Sequence, residues 1–98
     1  MHRSLLRRIL MNECQSLLDA LSTRQHLRPH ESVGDALANV GAQLDVCPNA
    51  SAEALRWLDL DPARAIGRLR RTELMQLARS VHRFWRQERP APQPAENL

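Results

Sequence analysis

The residues that could do chemistry here are a few possible metal ligands, a few acids and many arginines. His26 and His30 stand four apart, a spacing that can set two imidazoles on one helix face, and Cys14 and Cys47 could complete a zinc site. Pro29 breaks the helix that would align the histidines, and the thiols are far apart in sequence, so no metal site is expected. Two thiols so placed in a cytosolic chain predict no disulfide. Asp59 and Asp61 flank a helix start, where capping accounts for them. No nucleophile–base pair or carboxylate dyad stands out, and Gly34, Gly41 and Gly67 form no phosphate-cradling motif. The expectation is a non-enzyme with no cofactor.

The arginines are more informative. All 14 basic side chains are arginine, set against 11 acids for a net charge of +3. A GC-rich coding sequence explains the missing lysines by itself; the placement needs more. Residues 1–49 carry five arginines and five acids, whereas 64–89 carry eight arginines against Glu73 and Glu88. Such asymmetry points to an anionic partner. Arg64, Arg68, Arg70, Arg71, Arg79, Arg83 and Arg86 are the candidate contacts for DNA or for an acidic protein. Arginines near a helix N-terminus contact phosphates with help from free backbone amides. Arginine also pairs with carboxylates and stacks on aromatics, so a protein interface stays open. A solvated face with scattered ion pairs, each worth about 0–1 kcal/mol, is the third account. Adjacent Phe84 and Trp85 point in different directions on a helix, so a surface tryptophan flanked by Arg83 and Arg86 is a candidate anchor. The alternative packs both rings inside. His82, beside Arg79 and Arg83, is expected in solvent or near phosphate.

Helices must position these groups. Leu5, Leu6, Ile9, Leu10, Cys14, Leu17, Leu18 and Leu21 form one apolar stripe, with the helix ending at Ser22-Thr23 before Pro29. The stripe is broad for one helix, so Leu6, Ile9, Leu10, Leu17 and Leu21 are expected to form a homodimer surface, with an intramolecular core as the alternative. Cys14 is expected to be a buried small hydrophobe on it. Ser32 caps a second helix, with Asp35 three residues on and Val33, Leu37, Val40 and Leu44 on its seam. Gly34 and Gly41 lower its propensity and permit close helix approach. Ser51 caps a short helix over 51–58, and Asp61-Pro62 starts another with Ala63, Ile66 and Leu69 inward. Thr72 caps a last helix carrying Leu74, Leu77, Ala78, Val81, Phe84 and Trp85. Pro90, Pro92 and Pro94 stop it and leave 90–98 as a solvated tail. Strand-like alternation is missing. The chain reads as one all-α domain over 1–89, a small dimeric bundle of four to five helices. At 98 residues, a helical chain gains stability by pairing. No apolar run approaches the roughly 18 residues of a membrane span. Glu13 and Asp19 interrupt any leader-like stretch, so a cytoplasmic protein with no membrane contact is expected.

Residues 50–78 also carry a pattern. Ala50-Ser51-Ala52 is followed by Leu58-Asp59, Ala63, Ile66-Gly67-Arg68-Leu69 and Glu73-Leu74-Met75-Gln76-Leu77-Ala78. This resembles, without a gap, the central segment of the FlhD family of flagellar transcriptional regulator subunits. Met1-His2, Ser4-Leu5-Leu6, Ile9, Asn12 and Ser16-Leu17-Leu18 are similar to that family's opening helix, with a one-residue slip. The two blocks cover about half of the chain in the family's order. The resemblance implies a helical homodimer that joins a zinc-containing second subunit, FlhC, binds promoter DNA and recruits RNA polymerase to flagellar genes. Three departures narrow it. About 20 residues within 23–49 have no counterpart in the family. Trp85 stands near the place of a family cysteine that links subunits, and a proline-rich tail replaces a C-terminal segment associated with DNA binding. The intersubunit disulfide and autonomous DNA reading therefore do not carry over. A helical adaptor, secretion chaperone or anti-activator that binds only protein is the alternative.

Overall fold

The computed structural model describes residues 2–88, with side chains described for 12–87. It is all-helical: α1 (His2–Leu27), α2 (Val33–Leu44), α3 (Pro48–Trp57) and α4 (Arg71–Glu88), with a 3-10 turn at Ile66–Arg68. Among the described residues, the one extended pairing is an isolated antiparallel bridge between Ser32 and Ala65. No described helix is long and apolar enough to cross a membrane. The expected tail over 90–98 lies outside the described residues.

α4 packs against both α1 and α3, and α2 packs against α1 and α3 from the other side. α1 and α4 are antiparallel, because Gln25 reaches Leu69 while Glu13 reaches His82. The shared core contains Leu17, Leu21, Val33, Val40, Ile66 and Leu74, with Leu77 and Val81 from α4. Leu17 and Leu21 are 0% exposed within a single chain. That corrects their assignment to a dimer surface: the stripe of α1 is consumed at these positions by α2 and α4. Leu6, Ile9 and Leu10 lie outside the residues whose side chains are described.

Several helix boundaries also differ from expectation, each for a local reason. α1 continues through Ser22-Thr23 to Leu27; the Thr23 hydroxyl donates to the Asp19 carbonyl at 2.9 Å, inside the helix, and so does not compete for an amide that would end it. α3 starts at Pro48, three residues before Ser51, because proline at the first helical position loses no needed donor. No helix starts at Asp61-Pro62. Asp61 Oδ1 accepts from the Ala63 amide at 2.9 Å, a local turn, and the carbonyls of Pro62 and Arg64 are taken by the first amides of α2. Val33 N–H donates to Arg64 O at 2.8 Å and Gly34 N–H to Pro62 O at 2.9 Å. Carbonyls engaged this way cannot build a helical ladder. Ile66 and Leu69 are still buried, but Ala63 is exposed. α4 starts before Thr72: the Arg70 amide donates to Glu73 Oε1 at 2.9 Å and Leu74 N–H donates to Arg70 O. The first of these bonds is the carboxylate half of a capping box.

The two loops are laced together further by Ile66 N–H to Glu31 O at 2.8 Å and Gly67 N–H to Pro29 O at 2.9 Å. The Gln25 side-chain amide donates to Leu69 O at 2.6 Å from the end of α1. Gly67 is required here, since a Cβ on it would stand 2.7 Å from Pro29 Cβ and 2.8 Å from Pro29 O. Gly34 and Gly41 serve packing within the chain: added Cβ atoms would meet Pro62 and the Val46 carbonyl, each at 3.3 Å.

Candidate nucleic-acid or partner interface

The buried face of α4 carries Leu74, Leu77, Ala78 and Val81. At 100° per residue, Arg79, Arg83 and Arg86 fall on the opposite side within an arc of about 60°. All three are exposed, as are Arg68, Arg70 and Arg71 at the start of the helix. Among the described residues, no carboxylate lies within 4.0 Å of any of these six guanidinium groups. Among the described residues, the face therefore presents positive charge with no paired carboxylate over about 10 Å of helix.

Arg64 is different and leaves the set. It is half-buried, donates to Glu73 Oε2 at 3.2 Å and to the Arg68 carbonyl at 3.1 Å, and ties the loop before α4 to its first turn. Glu73 is held below the ordinary carboxylate range, first by the Arg70 amide and then by the charge of Arg64. On the other side of the fold, Arg24 donates to Glu31 Oε1 at 2.8 Å, and Asn39 donates to Glu31 Oε2 at 2.9 Å. The Arg24 hydrogen bond is the main force that holds Glu31 below its ordinary value.

The surface tryptophan is Trp57, from α3, and not Trp85. Trp57 is 62% exposed, whereas Trp85 is 7% exposed. The Arg83 guanidinium carbon lies 5.1 Å from the Trp57 ring centroid, and Phe84 meets the same ring edge-on at 6.1 Å. Trp57 thus prolongs the arginine face toward α3 with a cation–π contact. Ala50, Ala54 and Trp57 share one face of α3, the alanines buried and the ring meeting α4 at Phe84 and Arg83; that spacing alone carries no signal of the ring's exposure.

His82 is buried, not solvated. It is 8% exposed, with Nε2 3.5 Å from Glu13 Oε1 and its ring edge-on to Trp85. α1 covers this side of α4, and among the described residues Glu13 is one that meets His82. Cys14 is half-buried on the same side, and burial raises its thiol pKa against the lowering influence of Arg79. Cys47 is also half-buried, and both thiols are free. His26 and His30 are exposed, and among the described residues no group of three or more His, Cys, Asp or Glu is placed to hold a metal ion.

Compared with protein-family models, with curated proteins and with solved structures, the chain matches none.

Proposed function

We propose that this chain is an FlhD-like transcriptional regulator subunit, and that the outer face of α4 is its contribution to promoter DNA binding. The supporting observation is the run of exposed arginines on α4 with no carboxylate within 4.0 Å among the described residues. Guanidinium groups with no carboxylate in reach among the described residues are available for phosphate, and such contacts fix a protein on a duplex without reading its sequence. The resemblance of residues 50–78 supplies the remainder of the reading: a homodimer, a second subunit resembling FlhC, RNA polymerase as a further partner, and flagellar genes as the target. With Leu17 and Leu21 buried in the protomer, the α1 contribution to a homodimer falls to Leu6, Ile9 and Leu10.

The test is co-purification with the second subunit, followed by promoter retention across a salt series. Three phosphates neutralised by Arg79, Arg83 and Arg86 correspond to a slope of about −2.7 in log affinity against log salt. Retention indifferent to salt, or a chain that recruits neither subunit nor duplex, overturns the reading. The second reading, an adaptor that binds protein alone, draws on Trp57: an exposed tryptophan stacked under an arginine is the pairing that anchors protein interfaces. Trp57→Ala separates the two. Loss of subunit capture, from a parent chain that retains no duplex at any salt, favours the adaptor; capture lost while salt-sensitive duplex retention persists favours the DNA reading.

A further inference from the structure

On the side of the fold formed by α2 and α3 lies a hollow of about 490 Å³, floored by Leu37, Val46 and Leu55 and flanked by Ala38, Ala42 and Ala52. Ala52 and Leu55 also line a second hollow of about 560 Å³, which continues past Leu60 to Pro62. Together they make one groove with an apolar floor. It is not a gap in the core: Leu37 and Val46 are buried beneath it, and the exposed alanines on its walls are too small to fill it.

The ends of the groove are acidic. Asp45 closes one end, and Asp59 and Asp61 stand at the other. Asp45 and Asp59 are the two described non-glycine residues with positive φ, at 61° and 52°, and each follows the last turn of a helix. A helix C-terminus carries partial negative charge, and an aspartate there adds to it where a cation would be favoured. Among the described residues, no arginine or histidine lies within 4.0 Å of these three carboxylates. Arg56, also on the groove, is paired with Glu53. The groove thus joins an apolar floor to a negative potential built from carboxylates and helix ends.

We propose that this groove docks an amphipathic helix with a basic face, supplied by a partner protein. Shape sets the helix: the α2 wall from Gly34 to Ala42 spans about 12 Å, or about two turns, which suits apolar anchors at i, i+3 or i+4, and i+7. Charge sets the flanks: arginine or lysine beside those anchors meets Asp45 at one end and Asp59 with Asp61 at the other. The face is separate from the arginines of α4, so this docking does not depend on DNA contact.

The probe is a stapled amphipathic peptide with leucines at those anchor spacings and arginines on its flanks. The same peptide with glutamates in place of the arginines is the control. The net charge of +3 works against nonspecific capture of a cationic peptide, so binding reports the local potential. The arginine peptide should bind with amide shift changes confined to α2, α3 and residues 59–62. The glutamate peptide should bind about tenfold or more weakly. Combined Asp45→Asn, Asp59→Asn and Asp61→Asn should reduce affinity for the arginine peptide by about tenfold, because asparagine keeps the left-handed backbone at 45 and 59 and the turn hydrogen bond at 61 while removing the charge. Ala42→Trp should fill the groove and abolish binding. Equal affinity for both peptides, shift changes elsewhere, indifference to the asparagine variant, or no binding at millimolar peptide overturns the proposal. Duplex retention is measured on the same variants; it should not change, which keeps failure here distinct from failure of the DNA reading.

Discussion

The laced junction between residues 28–33 and 61–70 and the outer face of α4 use arginine to opposite ends. At the junction, Arg24 and Arg64 finish on Glu31 and Glu73, and both carboxylates take further hydrogen bonds from Asn39 and from the Arg70 amide. On α4, Arg79, Arg83 and Arg86 have no described carboxylate in reach, and Arg83 rests instead on the ring of Trp57. Partly buried ion pairs with several hydrogen bonds fix geometry, whereas exposed cations without partners cost the fold little and keep their charge for something else. The formal charge of a side chain therefore says nothing about its role until its neighbours are known.

That contrast can be broken at either end. The largest effect is expected in the core beside the junction: Leu21→Ala should lower stability by about 2–5 kcal/mol in denaturant titrations, because the side chain is fully buried. Survival of the fold with near-normal stability would reopen the stripe of α1 as a surface. Gly67→Ala should cost about 1–3 kcal/mol through its clash with Pro29, and Gly34→Ala distinctly less, as the contact there is 3.3 Å against 2.7 Å. Glu31→Gln should cost on the order of 1 kcal/mol by weakening the Arg24 and Asn39 contacts. Its pH profile is the sharper measurement. Glu31 and Glu73 are both held below the ordinary value of 4.5 in the fold, so their contribution is full above 4.5 and is lost as pH falls through the lowered values. Glu31→Gln should flatten that acid-side loss in part, and a profile identical to the parent's would dismiss the ion pair. Smallest for folding is Arg79→Gln with Arg83→Gln and Arg86→Gln: stability within about 0.5 kcal/mol of the parent. The same triple variant should remove most of the salt dependence of duplex retention, and an unchanged slope would move the DNA contact off α4.

The helical periodicity of α1, α2 and α4 was readable because each places leucine or valine on one face at three- and four-residue steps. The Ser32 cap was readable as well, and its hydroxyl accepts the Asp35 amide at 3.1 Å. The turn at 61–65 was not, because Asp-Pro is a sound helix start taken alone. What overrules it is backbone pairing with residues about 30 positions earlier, which no local pattern carries. The arginine face was legible as a charge asymmetry, but the removal of Arg64 by Glu73 and the burial of His82 under Glu13 needed the packing of the loop and of α1. Trp57 was visible only as one of three aromatics; its exposure follows from its place at the end of α3, where the alanine contact with α4 stops.

The lacing of the two loops has a kinetic consequence. Pairing Pro29 with Gly67 and Glu31 with Ile66 closes a ring of chain that contains all of α2 and α3. The entropy of that closure is met only once both helices have folded back, so the clasp belongs late on the folding route. In hydrogen exchange, the amides of Val33, Gly34, Ile66 and Gly67 should therefore open together as one unit, before the slowest α4 amides.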